Sequence, residues 1–204
     1  MTILFLDTET TGFVNKDYPA EHEFQPHLVQ LGCYMTTDTG GPIATVELIV
    51  RPDGWEIPIS AAKVHGITTE IALDVGIPLV VAVAVFTNLR ARAHELVAHN
   101  MSYDDSIMRA AIWRTKRQPA SPGPDKRTCT VDLAGPVLQI PPTERMKKVG
   151  FTKWKPPNLG ECYRFLFEEE LVGAHGALTD AKACARVYFE LQRRLNPATK
   201  ERDK

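Results

Sequence analysis

Residues 2–12 read TILFLDTETTG. Thr2 to Leu6 run in β-type, largely apolar character without a charged break. This predicts a strand buried on both faces near the middle of a sheet. Thr10-Thr11-Gly12 is expected to end it. Asp7 and Glu9 stand two apart where the apolar run stops. The period of two along a strand puts both carboxylates on one face. Held there they repel, and each is costly to desolvate without a partner. No Lys or Arg occurs between Met1 and Val14. A divalent cation is the simple compensation, because Mg²⁺ binds through carboxylates and phosphates. The other reading of such a pair is an exposed turn with both acids in water.

Outward from this strand the chain alternates. Residues 13–27 form a polar loop with Pro19 and Pro26. Leu28–Met35 and Ile43–Arg51 read as strands flanking the turn Gly40-Gly41-Pro42, so a hairpin is expected. Ser60–Gly66 is a short segment leading into HGIT (65–68). Pro78 opens an alanine-rich helix to about Arg92. Leu96–Ala98 reads as a short buried strand, and a helix runs from Ser102 to about Lys116. A Pro/Gly/Ser loop is expected at 118–125, a further strand over Cys129–Leu133, and irregular chain with five prolines over 136–157. Leu159–Phe167 and Thr179–Leu195 read as helices. The pattern is mixed α/β around one sheet. A length of 204 residues suits one domain, placed at residues 1–196, with a polar tail at 197–204.

Two further acids sit where apolar residues belong. Ser102 is expected to cap its helix, with Asp105 three residues on in a capping box and four residues before Arg109. Asp104 has neither role. Ile107, Met108 and Ala111 follow it on the same helical stripe, so it points at the sheet. Asp180 repeats the pattern, with Cys184, Val187 and Leu191 along its stripe. Two helices that each begin their buried face with an aspartate could converge with Asp7 and Glu9, and four carboxylates suit two metal ions. His175 lies in the loop before Asp180, between Gly173 and Gly176. A lone histidine is more often a surface or packed residue; beside such carboxylates it could serve as a general base.

Composition narrows the class. No apolar run approaches the roughly 20 residues needed to span a bilayer. No basic segment precedes an apolar stretch at the N-terminus, so no secretory signal is expected. Cys33, Cys129, Cys162 and Cys184 lack metal-binding spacing and fit reduced thiols in a cytoplasmic protein. Net charge is −1, yet residues 109–155 carry eleven Lys/Arg against three acids. Such a stretch suits phosphate contacts, or a solvated face balanced elsewhere.

LDTETTG (6–12), AHNMSYDDSIM (98–108) and HGALTDA (175–181), with PHLVQLG (26–32) and VHGIT (64–68), together resemble the DEDDh 3′–5′ exonucleases. That family includes the polymerase III epsilon subunit, ribonuclease T and oligoribonuclease. The resemblance covers about residues 2–192. It implies a ribonuclease H-like single domain, with a central mixed five-stranded sheet, its first three strands antiparallel, flanked by helices. It implies two ions per site, Mg²⁺ or Mn²⁺: one on Asp7, Glu9 and Asp180, the other on Asp7 with Asp104 through water. His175 would deprotonate the attacking water, and a 5′-mononucleotide would leave. Thr10, Thr11 and Gly12 would cradle the terminal nucleotide, with His65 and Asn100 near its sugar and base. Tyr103 stands where Phe is more usual, and its hydroxyl needs a partner.

The expected substrate is a nucleic-acid 3′ end, single-stranded DNA foremost, with an exoribonuclease as the rival. A proofreading subunit docked on a polymerase is a further reading, disfavoured because only nine residues follow Leu195. A catalytically dead binding module is disfavoured by the complete set of five residues. Segment 145–157 interleaves lysines with Phe151 and Trp154; it reads either as single-strand contact or as a loop packed on the body.

Overall fold

A computed structural model describes residues 1–116, 123–124 and 126–196. β1 (Thr2–Thr10) is central in a five-stranded sheet. It pairs antiparallel with β2 (Leu28–Thr37), which pairs antiparallel with β3 (Pro42–Ile49). The chain then forms α1 (Ile59–His65), α2 (Thr69–Val75) and α3 (Leu79–Arg90) and returns as β4 (Glu95–Ala98), parallel to β1 on its other side. After α4 (Met101–Lys116), β5 (Lys126–Cys129) adds parallel to β4, giving the order β3-β2-β1-β4-β5. α5 (Thr130–Leu138), α6 (Glu144–Lys148), α7 (Leu159–Phe167) and α8 (Ala177–Leu195) complete the fold. This is the mixed sheet with three antiparallel leading strands expected from the sequence.

The strand alternation sorts β1 between two helical layers. Leu4 and Leu6 face the cluster containing Phe86 of α3 and Ile107 and Met108 of α4. Ile3 and Phe5 face Ala181, Cys184 and Tyr188 of α8. Both faces are covered, so Leu4, Phe5 and Leu6 are fully buried. Burying a Leu or Phe stabilises by about 1.5–3 kcal/mol, which explains the unbroken apolar run.

The strand expected over Cys129–Leu133 is corrected. β4 has four residues, and pairing ends at Ala98 with Cys129. Beyond it Ala134 and Leu138 pack with Cys162, Leu166, Val187 and Leu191, a helical spacing that makes 130–138 α5. The segment 136–157 is less irregular than expected, since it holds the end of α5 and all of α6. Residues 60–65 belong to α1, which Gly66 ends in a left-handed conformation, and α2 was not foreseen; each helix has only seven residues, too short for periodicity to declare itself. Most of the loop expected at 118–125, and the tail at 197–204, lie outside the described residues. Among the described residues no helix is long and apolar enough to cross a membrane.

Candidate active site

The C-terminal end of β1 carries the site. Asp7 and Glu9 are half-buried, while Thr8 between them and Thr10 beyond turn to the opposite face and are buried. Across the ladder Asp7 pairs with Gly32 and Glu9 with Gln30. Those two β2 residues seat α8. Its N-cap, Gly176, has no capping side chain. Instead the Ala177 N–H donates to Gln30 Oε1 (3.0 Å), and Gln30 Nε2 donates to Glu47 Oε1 (3.1 Å). A Cβ on Gly32 would lie 2.2 Å from the Ala177 carbonyl group, so only glycine lets the helix start this close to the strand. Asp180, in the first turn of α8, is thereby held beside Glu9.

Asp104 comes from the other helical layer. It is 2% exposed, on the buried stripe of α4, and Thr8 Oγ1 donates to its Oδ1 (2.7 Å). Burial first, then the charges of Asp104, Asp180 and Glu9, hold the Asp7 carboxyl well above the usual range. Burial and the same two aspartates push Glu9 up to about 8. Burial pushes Asp104 up to about 7 against the bonds from Thr8. Burial also raises Asp180, opposed by the His175 backbone and charge. Asp7 thus feels the charge of the other three acids, while the tight cluster of donor atoms comprises Glu9, His175 and Asp180 without Asp7 or Asp104.

His175 is exposed and sits at φ 67°, a left-handed conformation that few residues other than glycine adopt, histidine among the more tolerant. Its N–H donates to Asp180 Oδ2 (3.0 Å). One donor atom each from Glu9, His175 and Asp180 lie within 4.8 Å of one another. Asp180 Oδ1 is buried and has no hydrogen-bond partner. Leaving a carboxylate oxygen so is costly, and a divalent cation held by the Glu9 and Asp180 oxygens fits the negative charge gathered here.

This geometry has a measurable consequence. A carboxyl raised in the folded state keeps its proton where the unfolded chain has lost it, so metal-free stability falls as pH rises from about 4 through about 8. A divalent cation takes the deprotonated set. The melting temperature should therefore rise more on adding Mg²⁺ or Mn²⁺ at about pH 8 than at about pH 5.5 by scanning fluorimetry. An equal rise at both would contradict the shared site.

The neighbouring residues are placed as follows. Thr10 Oγ1 lies 2.6 Å from the Tyr103 hydroxyl, and both reach the Gly12 carbonyl (2.7 and 2.9 Å), which accepts from one or both of them. The extra hydroxyl of Tyr103 thus has its partners and staples α4 to the turn after β1. Thr11 is tied to His27 through backbone and side chain (3.0 and 2.8 Å). His65 Nδ1 accepts the Ile67 N–H (3.1 Å), which places its proton on Nε2, a buried atom with no hydrogen-bond partner. Burial, then His175, lower its pKa, against the Thr10 carbonyl, so the ring is a neutral donor beside the site. Asn100 is exposed at φ 73° in the turn between β4 and α4.

Two local expectations fail. α4 begins at Met101, and Ser102 donates to Asn100 Oδ1 (3.2 Å) rather than capping. Asp105 pairs with Arg127 (2.8 Å), while Arg109 pairs with Glu21 (2.8 Å), because β5 and the 13–27 loop present nearer partners than the helix itself. Sequence reasoning also missed the parts played by Gln30, Gly32 and Thr8, whose signals are visible only across the ladder. It passed over Phe13, 94% exposed immediately after the Thr10–Gly12 turn. All four cysteines are free thiols, three of them buried.

The exonuclease family model RNase T matches residues 4–188. No curated protein matches the chain by sequence. Among solved structures the fold is similar to E. coli Exonuclease I in complex with a dT13 oligonucleotide, at 19% identity and TM-score 0.73, over 97% of this chain and 42% of that one. It is similar to the zinc-bound form of the E. coli Exonuclease I–ssDNA complex, at 19% identity and TM-score 0.71, over 96% and 41%. Exonuclease I of Methylocaldum szegediense gives 19% identity and TM-score 0.68, again over 96% and 41%. This chain therefore spans about two fifths of the length of those proteins.

Proposed function

The chain belongs to the RNase T family of exonucleases, 3′–5′ exonucleases of the ribonuclease H-like superfamily, and on that premise we propose that it removes 5′-mononucleotides from the 3′ end of single-stranded DNA with two divalent ions, Mg²⁺ or Mn²⁺. The observation that carries this reading is the cluster of Glu9, His175 and Asp180 donor atoms within 4.8 Å, with Asp180 Oδ1 buried and unpartnered and Asp7 and Asp104 close enough to add to the same negative field. Asp7, Glu9 and Asp180 would hold one ion, and Asp7 with Asp104 the other. When bound, such ions supply positive charge to the phosphate and to the leaving 3′ oxygen.

The chain's own residues do the rest. A ring nitrogen of His175, held near Glu9 and Asp180, takes the proton of the attacking water. His65 offers its Nε2–H to the terminal nucleotide, and Asn100 lies beside it. The backbone of Thr10, Thr11 and Gly12, fixed by Tyr103 and His27, forms the seat for that nucleotide. Exposed Phe13 is available to meet a base from the rim. The preference for DNA is supported by the single-stranded DNA complexes of the Exonuclease I structures that share this fold.

Matched 5′-labelled DNA and RNA oligomers test the substrate class. Degradation of the DNA strand at least about tenfold faster is expected, because a site fitted to one sugar discriminates against the other. Equal rates, or faster loss of RNA, would overturn the choice of DNA.

A further inference from the structure

Residues 143–157, TERMKKVGFTKWKPP, contain five cations, of which two are paired with acids. Lys147 pairs with Glu144 (2.7 Å). Lys155 pairs with Glu161 (2.5 Å), which also closes the capping box of α7. Arg145, Lys148 and Lys153 are exposed, and among the described residues they form no ion pair. Phe151 is half-buried against the body, its N–H donating to the Met146 carbonyl (3.0 Å). Trp154 does not follow it inward and is 47% exposed. An exposed tryptophan among unpaired cations fits a polyanion that also has flat rings.

This segment is wired to the candidate active site. Half-buried His99 bridges Thr130 Oγ1 (2.9 Å) and the Pro157 carbonyl (3.1 Å). His99 precedes Asn100, so the anchor of the segment and the expected nucleotide contact are adjacent in the chain. A groove of about 580 Å³ joins them, lined by Asn100, Ser102, Arg127, Cys129 and Pro156. Of the two acids in that groove, Asp105 is paired with Arg127, while Asp132 forms no ion pair among the described residues, so the free cations that would meet phosphates lie in the segment beyond it.

We infer that this groove and the segment beyond it bind the single strand upstream of the reacting phosphate, with Arg145, Lys148 and Lys153 on backbone phosphates and Trp154 stacked on a base. The inference rests on the exonuclease reading above and names where the body of its substrate runs. Charge complementarity and continuity with Asn100 favour a nucleic-acid strand as the occupant.

The test uses the whole chain and single-stranded DNA of about three and about twenty nucleotides. Binding is read by fluorescence anisotropy in EDTA over a salt series, and hydrolysis of both strands by the unmodified protein is read with Mg²⁺. For R145Q/K148Q/K153Q, affinity for the long strand should fall at least about tenfold, and the slope of log K against log salt should become shallower by about 2, since each phosphate contact on a single strand contributes about 0.7. Trp154→Ala should weaken long-strand binding by roughly fivefold or more. Affinity for the short strand should stay within about twofold in all variants. Unchanged long-strand affinity and slope in both variants would overturn the inference while leaving the exonuclease reading intact. Absence of hydrolysis of either strand by the unmodified protein would instead strike the exonuclease reading, and this one with it.

Discussion

Asp7→Asn is expected to cut the rate of 3′-end hydrolysis on the order of 10³-fold, the scale of losing one preorganised charge-stabilising group. Asp7 is central because its carboxyl is coupled to all three other acids, Asp104, Asp180 and Glu9. The substitution keeps size and shape, so the fold is retained. Without metal, the melting temperature should be unchanged or higher, because one member of a repelling, buried set has become neutral. The rise in melting temperature on adding Mg²⁺ should shrink. His175→Ala provides the contrast. It should slow hydrolysis by about 10²–10⁴-fold, the usual worth of a general base, while the metal-induced rise persists. Full activity of Asp7→Asn would remove the four-acid assignment.

Gly32→Ala is expected to lower stability by about 2–3 kcal/mol, the cost of overpacking a closed contact. For a chain of this size that is a fall in melting temperature of about 5–10 °C. The added Cβ would meet the carbonyl of Ala177 at 2.2 Å and the nitrogen of Leu178 at 2.4 Å. These are backbone atoms, so no side chain can turn away; the start of α8 must move. That movement carries Asp180 and His175 with it, and an ångström of misplacement costs about 10²-fold in rate. Gly135→Ala in α5 is the control, since an added Cβ there meets nothing within 4 Å. It should leave activity unchanged and raise stability by up to about 1 kcal/mol through helix propensity. If Gly32→Ala melts and hydrolyses like the parent, the seating of α8 on β2 is wrong.

The central strand and the four acids were legible in the sequence because each broke a local rule. Asp104 and Asp180 occupy positions where a buried helical stripe calls for apolar residues, and both are buried. Asp7 and Glu9 extend an apolar strand with no cation near in sequence, and their carboxyls are raised. What stayed hidden depends on partners distant in the chain. Gln30 acts on Ala177 across 147 residues, and nothing around Gln30 announces a helix cap. The pairing of Asp105 was misjudged for the same reason: i,i+4 spacing proposes Arg109, but β5 delivers Arg127. The end of β5 was misplaced because Thr130, Val131 and Leu133 suit a strand as well as a helix. The length of β4 decides the matter, and that is a property of the sheet rather than of residues 129–133.

The basic segment shows how far composition alone reaches. Eleven cations between 109 and 155 suggested a polyanion surface. Several are spent on structure: Arg114 on the carbonyls of Glu23, Gln25 and Pro26, Arg109 on Glu21, Arg127 on Asp105 and Lys155 on Glu161. The cations left exposed around Trp154 form a smaller and better defined surface than the count implied.

The most direct measurement is the product pattern of a 5′-labelled single strand with a free or a blocked 3′ end, in Mg²⁺ and in EDTA. With a free end and Mg²⁺, the labelled strand should shorten one nucleotide at a time from its 3′ side and release 5′-mononucleotides. A blocked end or EDTA should stop it. Release of the labelled 5′ nucleotide first, internal cuts in the blocked strand, or undiminished cleavage in EDTA would contradict a metal-dependent site built by Asp7, Glu9, Asp104 and Asp180 for a 3′ end.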